Sequence, residues 1–260
     1  MHRLRHESRG IRPFRRLSRI GAAAAVLLLS FAPARAEEPV RNADRPSGRG
    51  GSLSGSVEVG PELSSRKMRF NLYTDFVQPA VAAGQPTREE ELQNVVIYLE
   101  STPAGVAVPS PPASPLRMRQ ENSTFLPHVL AVQRGSIVEF PNSDPIFHNV
   151  FSLSKAASFD LGRYPRGEAK GVRFDKPGLV KVFCHIHSDM SAVIMVLDHP
   201  FFATPDSHGR FQIDGIPSGT YRAVGWHERA RPQVHDVRIE SGQPAVVHFR
   251  IPLTGPLSGE

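Results

Sequence analysis

The chain of 260 residues has a formal net charge of +6, with 40% apolar and 22% charged residues, a composition compatible with a packed globular fold. Residues 1–36 contain eight arginines and one acidic residue, which leaves 23 basic and 24 acidic residues in the rest of the chain. Because that remainder is nearly neutral, the composition excludes a basic surface over the whole mature chain, and we expect no nucleic-acid partner.

Residues 1–36 have the pattern of an export signal. Arginine-rich residues up to Arg19 precede an alanine-rich apolar run, and residues 33–36 contain an A-x-A cleavage pattern. Only 15 residues separate Arg19 from Arg35. That is short for a membrane-spanning helix of about 20 residues, although a membrane anchor is the alternative interpretation. We therefore expect a cleaved signal peptide over residues 1–36, a periplasmic or secreted mature protein, and no stable membrane insertion.

The pattern beyond the signal is that of strands and turns. Residues 37–52 are rich in Arg, Gly, Pro and Ser and predict a disordered leader. After them, short segments rich in Val, Ile and Phe alternate with Gly, Pro, Asn and Asp, as expected for strands separated by turns. The predicted strands are Leu53–Val59, Met68–Tyr73, Val95–Glu100, His128–Gln133, Ser136–Phe140, Val150–Leu153, Gly171–Phe174, Leu179–Cys184, Ala192–Asp198, Gly209–Ile213, Gly219–Val224, Val234–Ile239 and Val246–Ile251.

Two local patterns complete the prediction of secondary structure. A short helix is predicted at Thr87–Leu92, where three consecutive glutamates lie early in a capping context. The dipeptide Arg134-Gly135 predicts a tight hairpin between the strands on either side of it. An all-β fold class follows from the predominance of short strands.

A single cysteine, Cys184, lies at the end of a predicted strand. It cannot form a disulfide within its own chain, and a lone exposed thiol in an oxidising compartment is a liability. Two explanations are open: burial as a small apolar residue, or capture by a metal.

The neighbours of this cysteine favour the metal. Cys184, His187 and Met190 form a C-x-x-H-x-x-M pattern between two predicted strands, and His148 follows an earlier strand. A thiolate, two imidazoles and a weak axial thioether are the donor set of a blue-copper site. Taken singly, each residue has a plainer explanation as a buried thiol, a core methionine or a turn histidine. Zinc is the alternative metal, and Met190 would then not be a ligand.

Other histidines are assigned less specific roles. His185 directly follows the cysteine, so its side chain should point to the opposite face of the strand end, toward solvent or behind the ligands. His128 begins a predicted strand and is expected to be structural or to form a hydrogen bond near the site. Five more are predicted to lie on the surface, at His199, His208, His227, His235 and His248.

These residues resemble the cupredoxins, the blue-copper family that includes amicyanin and plastocyanin. The resemblance covers residues 114–198. It lies in Phe174–Gly178, which five residues separate from Cys184, in the C-x-x-H-x-x-M spacing, and in the segment His148–Val150. It implies a Greek-key β-sandwich with one type 1 copper, held by the four residues named above. It also implies that Asn149 forms a hydrogen bond near the copper loop and holds the two ligand segments together.

The flanking segments resemble a carboxypeptidase-regulatory-type β-sandwich. Residues 204–221 have the pattern D-x-x-G-x-F-x-I-x-x-I-P-x-G-x-Y of its second half, and Ser54–Val59 and Asn94–Leu99 supply its opening strands. The resemblance implies a second small sandwich, with residues 53–113 as its first part and 199–256 as its second, split by the cupredoxin domain at 114–198. The alternative is three modules in a row.

The leading functional hypothesis is a one-electron carrier between redox partner proteins. Its electron route would be the edge of His187, surrounded by the apolar residues Pro145, Ile146, Phe147 and Ile186; the alternative is that these pack under the flanking sandwich. A second hypothesis is copper storage, delivery or assembly, with the sandwich docking a partner. Enzymatic activity is not expected, because one four-ligand centre leaves no coordination position open for a substrate.

Overall fold

A computed structural model describes residues 50–60, 87–102 and 108–251. The predicted signal peptide, the predicted leader up to residue 49 and the predicted strand Met68–Tyr73 lie outside the described residues. Within those ranges the elements are β1 (Gly51–Val59), α1 (Arg88–Gln93), β2 (Val96–Leu99), β3 (Leu116–Arg117), β4 (Arg119–Glu121), β5 (Thr124–Leu126), β6 (Val129–Gln133), β7 (Ile137–Pro141), β8 (His148–Leu153), β9 (Ser158–Tyr164), β10 (Ala169–Arg173), β11 (Gly178–Phe183), β12 (Ser191–Leu197), β13 (Phe202–Ala203), β14 (Arg210–Ile216), β15 (Gly219–Trp226), β16 (Gln233–Ile239) and β17 (Pro244–Ile251). The predicted all-β class is confirmed. No helix in the described ranges is long and apolar enough to span a membrane.

The strands form two β-sandwiches. In the central sandwich, the sheets β10-β7-β3 and β6-β12-β11-β8-β9 enclose one apolar core, with the two-stranded ribbon β4-β5 beside them. In the flanking sandwich, the sheets β14-β1-β17 and β13-β2-β15-β16 enclose a second core. Each core is filled by alternate side chains of its strands, as expected where one face of a sheet is buried.

Helix α1 is short and begins as its sequence predicts. The Thr87 hydroxyl accepts a hydrogen bond from the backbone N–H of Glu90, whose carboxylate accepts one from the backbone N–H of Thr87. This reciprocal capping box satisfies two N–H groups that the first turn would leave unpaired. It also fixes the start of the helix that carries the buried residue Glu91.

The predicted hairpin at Arg134-Gly135 is wrong. The turn is present, with Ser136 N–H donating to Gln133 O over 3.0 Å and Gly135 at φ +88°. The strands on either side nevertheless belong to different sheets of the central sandwich. Because Val132 and Val138 both face the same core from opposite sheets, the chain crosses between the layers instead of folding back within one.

Several strands were not predicted from the sequence: β3, β4, β5, β9 and β13. The longest, β9, contains Asp160 and Gly162 and has largely exposed side chains, so its apolar alternation is weak. It forms the outer edge of the five-stranded sheet beside β8, with a register shift between Asn149 and Phe151. Such an edge strand is specified by its partner more than by its own sequence.

Strands from both sides of the central segment share the sheets of the flanking sandwich. β1 pairs antiparallel with β14 and parallel with β17, and β2 pairs antiparallel with β15. The Leu99 N–H donates to Phe201 O over 3.2 Å, which brings the chain before and after the central sandwich together. β1 begins at Gly51, so the last two residues of the predicted leader belong to a strand. The proposed domain boundaries at 53–113, 114–198 and 199–256 stay a prediction.

A third apolar cluster joins the two sandwiches. It consists of Val96 and Trp226 from the flanking sandwich and Val129, Val193 and Met195 from the central one, all at most 9% exposed. The outer face of β6 and β12 therefore packs against the outer face of β2 and β15.

We predict that residues 199–260 do not fold alone, because β14 and β17 would lose β1, and β15 would lose β2. Joining residues 37–102 to 199–260 through a short Gly-Ser linker should restore a cooperative fold, since Leu99 and Phe201 are already hydrogen-bonded. Amide NMR spectra and urea unfolding of both fragments test this. Cooperative unfolding of 199–260 alone would instead favour three sequential modules.

Candidate metal centre

Four side chains named in the sequence analysis lie at one end of the central sandwich. His148 is the first residue of β8, and Cys184 directly follows β11. β11 lies between β8 and β12 in the sheet. The segment from Cys184 to Met190 connects β11 to β12, whose pairing ends at Phe183 and Ser191. The strand order therefore brings the histidine from one chain segment beside the cysteine of another.

The connecting loop is closed by its own backbone. Cys184 N–H donates to Met190 O over 3.2 Å, and Met190 N–H donates to His187 O over 3.1 Å. These bonds hold both ends of the loop against the strands that it joins. Met190 is 1% exposed, and its side chain belongs to the same buried core as Cys184.

Three ligand atoms converge within this frame. His148 Nδ1 lies 3.1 Å from His187 Nδ1, and Cys184 Sγ lies 3.9 Å and 3.7 Å from those two nitrogens. Bonds of about 2.0 Å to nitrogen and about 2.3 Å to sulfur place the ligand atoms around one ion about 3.3 to 3.7 Å apart, and the three distances here lie within a few tenths of an ångström of that range. Within the described ranges, no other group of three His, Cys, Asp or Glu side chains converges in this way. The residues present therefore fit a metal ion.

The donor types discriminate between metals. Two imidazoles and a thiolate suit zinc and copper alike, whereas a buried thioether beside them is a soft donor of the kind that suits Cu(I). Burial and the neighbouring His148 lower the pKa of His187. Its imidazole is therefore neutral, with a lone pair available, at neutral pH.

Asp144 orients His148 from behind, a role that the sequence did not reveal. Its carboxylate lies 2.7 Å from His148 Nε2 and accepts the backbone N–H groups of Asn122 and Ser123 over 2.6 and 2.8 Å. Burial alone would raise the pKa of Asp144, but these hydrogen bonds outweigh it and lower the pKa. An ionised Asp144 accepts a proton held at Nε2, so the lone pair of His148 lies at Nδ1, toward Cys184.

The turn that supplies the two N–H groups is unusual. Asn122 and Ser123 connect β4 to β5 with φ of 54° and 53°, the left-handed region that few residues other than glycine adopt. This conformation aims two successive N–H groups at one carboxylate. In the sequence, the one sign of the role of Asp144 was its position four residues before the candidate ligand His148. The N–H groups that hold Asp144 lie more than 20 residues away, so the local sequence does not reveal them.

Asn149 and His185 lie just outside the ligand atoms. The Asn149 amide oxygen accepts the His185 N–H over 3.3 Å, and its amide nitrogen donates to Asp160 over 2.7 Å. The predicted hydrogen bond between the ligand segments is therefore present. The His185 ring stacks on Phe151 at 3.7 Å between centroids, is about half exposed, and does not belong to the ligand cluster.

The other histidines depart in part from the prediction. His199 and His227, predicted at the surface, are 4% and 1% exposed. Each ring has a polar partner that replaces water in the interior: Leu99 O for His199 and the Glu91 carboxylate for His227.

Comparisons with known proteins gave partial matches only. No protein-family model matches the chain, and no curated protein does. Among solved structures, a copper-containing nitrite reductase from Thermus scotoductus SA-01 is 25% identical, with 37% of this chain and 25% of that chain covered and a TM-score of 0.32. A purple cupredoxin from Nitrosopumilus maritimus is 19% identical over 32% of this chain and 99% of its own, with a TM-score of 0.30. A reduced amicyanin variant is 18% identical over 39% of this chain and 98% of its own, with a TM-score of 0.31.

We predict that Asp144→Asn destabilises the metal-free protein by about 1 to 3 kcal/mol, because an amide cannot accept both backbone N–H groups and still accept the His148 proton. The affinity for a divalent metal should fall by about 10- to 100-fold. Urea unfolding and metal titration measure the two effects. Asp175→Asn is the matched control, since Asp175 is exposed and pairs with Arg173. If both variants lost the same stability and the same metal affinity, the role of Asp144 in orienting His148 would be contradicted.

Proposed function

We propose that the protein is an exported type 1 (blue) copper protein that carries single electrons between redox partner proteins and has no enzymatic activity. His148, Cys184, His187 and Met190 would hold one copper ion. The observation that carries the proposal is the convergence of two imidazole nitrogens and one thiol sulfur at the end of a sandwich. His148 comes from β8, and Cys184 and His187 come from a loop that ends at the buried Met190. Copper bound there would supply the one-electron chemistry by alternating between Cu(I) and Cu(II).

The chain holds its donors in one arrangement. His148 is fixed by Asp144, and the loop is fixed by the two backbone hydrogen bonds between Cys184, His187 and Met190. Asn149 ties the His148 segment to the loop through the His185 N–H. A frame of this kind resists movement of the donors when the charge at the site changes, which keeps the barrier to electron transfer low.

Burial separates the donors from water unequally. His148, Cys184 and Met190 are at most 5% exposed, whereas His187 is partly exposed. Of these four side chains, His187 therefore offers the shortest route to the surface. We assign the electron route to the edge of its ring.

Three exposed apolar side chains lie next to His148 and His187 in the sequence. Ile146 and Phe147 precede His148, Ile186 precedes His187, and the three side chains are 42%, 56% and 39% exposed. Their exposure contradicts the alternative in which they pack under the flanking sandwich. Exposed apolar side chains with few charges give a docking surface that a partner desolvates at low cost.

The decisive test is the visible spectrum of the protein with stoichiometric Cu(II). We expect intense thiolate-to-copper charge transfer, which Cys184→Ser should abolish while the circular dichroism of the β-fold persists, because serine is nearly isosteric. The control is Met195→Leu, which changes a buried methionine in the apolar cluster that joins the sandwiches and should keep the colour. A colourless wild-type protein that binds one equivalent of Cu(II) would contradict the assignment of these residues to a type 1 copper site.

Copper retention separates a carrier from a delivery or storage protein. A carrier should be reduced and reoxidised reversibly in cyclic voltammetry, with copper retained against a Cu(I) chelator. Ready release of copper on reduction would contradict the electron-carrier function and support copper delivery.

We further predict that Phe147→Asp slows electron self-exchange between two copies of the protein by about tenfold, because each docking surface then carries a desolvated charge that repels its partner. Line broadening in NMR spectra of mixed oxidised and reduced protein measures this rate. Leu153→Asp is the matched control: Leu153 is 82% exposed and lies at the far end of β8, about 16 Å from His148. An equal loss in both variants would contradict the assigned docking surface.

A further inference from the structure

His128 lies beside the end of the ligand loop without belonging to the ligand cluster. It immediately precedes β6, which pairs parallel with β12 from Val129 opposite Val193, and its carbonyl accepts the Val193 N–H over 2.9 Å. Its ring nitrogen Nδ1 lies 3.0 Å from the carbonyl oxygen of Ser191. Ser191 directly follows Met190, so this hydrogen bond acts on the end of the loop where the thioether lies.

The opposite ring nitrogen of His128 reaches the flanking sandwich. Nε2 lies 2.6 Å from the Glu228 carboxylate, on the segment that follows β15. A carbonyl oxygen accepts only, so Nδ1 must carry a proton toward Ser191. The two partners of the ring are therefore one backbone carbonyl in the central sandwich and one carboxylate in the flanking sandwich.

The charges of this pair favour the bridge. Burial alone would lower the pKa of His128, but the hydrogen bond and charge of Glu228 outweigh it and raise the pKa. Burial alone would raise the pKa of Glu228, but the hydrogen bond and charge of His128, together with the charges of His227 and Arg229, outweigh it and lower the pKa. Both shifts favour an imidazolium that donates to an ionised carboxylate, and such charge-assisted bonds are stronger than neutral ones.

The segment that carries Glu228 is itself anchored. His227 Nε2 lies 3.1 Å from the Glu91 carboxylate, and the Arg229 guanidinium donates to the other oxygen of Glu91. Arg229 N–H also donates to His227 Nδ1 over 3.1 Å. Glu91 is 1% exposed on the capped helix α1, so the residues on both sides of Glu228 are fixed to the body of the flanking sandwich.

We propose that Glu228 and His128 form a positioning bridge through which the flanking sandwich fixes the Met190 end of the ligand loop. The effect of the bridge on copper rests on the function proposed above, whereas its effect on the loop does not. His128 is a positioning residue: it acts on Ser191 O, and through the backbone it limits how far Met190 moves relative to the other three donors. Because a thioether ligand tunes the potential of a blue-copper centre, loss of the bridge would shift the reduction potential.

The test begins with the metal-free protein, so that it does not depend on copper. Glu228→Ala removes the carboxylate that orients His128, and we expect hydrogen exchange of the Met190 and Cys184 amides to become about tenfold faster, because the loop opens more often. Glu228→Gln keeps the size and one hydrogen bond but removes the charge, and should give a smaller increase at the same amides. Both variants should leave the exchange of amides in β1 and β17 unchanged.

The matched control is His199→Gln. His199 is also buried and hydrogen-bonded to a backbone carbonyl, that of Leu99, but it follows the opposite end of β12. Its substitution should not change exchange in the ligand loop. If Glu228→Ala leaves the loop amides unchanged, or accelerates all amides equally as global destabilisation would, the bridge is overturned.

The copper-loaded protein supplies the second readout. Glu228→Ala should shift the reduction potential and the charge-transfer bands, and His199→Gln should shift neither. An unchanged potential together with faster loop exchange would confine the bridge to the metal-free loop and overturn its role at copper. A wild-type protein without charge-transfer bands would overturn the proposed function instead, and the exchange experiment would still decide whether the bridge holds the loop.

Discussion

Two imidazole nitrogens and a sulfur lie within 4 Å of one another at a largely buried point. They can share one cation only while both rings keep a nitrogen directed at that point, and a ring that turned away would be lost as a ligand. The rest of the central sandwich opposes that movement. Asp144 holds His148 from behind, and the backbone bonds of the loop hold Cys184 and Met190. Hydrogen bonds outside the ligand cluster thus keep the ligand atoms close together.

This constraint explains why the polar residues around the site are so thoroughly partnered. Asp144 is 6% exposed and accepts bonds from two backbone N–H groups as well as from His148. Were it to lose them, a buried carboxylate would lack solvation, which proteins avoid. Asn122 and Ser123 supply those donors by adopting a left-handed backbone conformation that is costly for residues other than glycine. The conformation of the β4–β5 turn therefore helps to fix Asp144, and through it His148.

The sequence was informative where the chemistry is local. Cys184, His187 and Met190 lie in one short loop, and the helix start at Thr87 depends on residues three apart. Both were predicted because each pattern carries its own physical meaning. Pairing between distant segments carried no such signal. The turn at Gly135 looks the same whether the strands beside it share a sheet or cross between sheets, and only the common core of Val132 and Val138 decides.

The same limit hid the residues that support the site. Asp144, Glu228 and Glu91 have unremarkable local sequences. Apart from the contact of Asp144 with His148, the partners on which they act are more than 20 residues away. His199 and His227 were assigned to the surface because nothing near them in sequence indicates a buried partner. Edge strand β9 was missed because its pairing with β8, and not its own alternation, defines it.

The parallel pairing of β1 with β17 joins the first strand of the described chain to its last, from Ser52 opposite Pro244 to Val59 opposite Ile251. About 190 residues must therefore be present before this ladder closes, and closing so long a loop costs entropy before any contact offsets it. Contacts of such sequence separation slow folding. The central sandwich, by contrast, is one continuous stretch of chain. On this basis we expect the ligand loop to form early in folding. Strand β1 should pair late, because both of its neighbours, β14 and β17, follow the central sandwich in the chain.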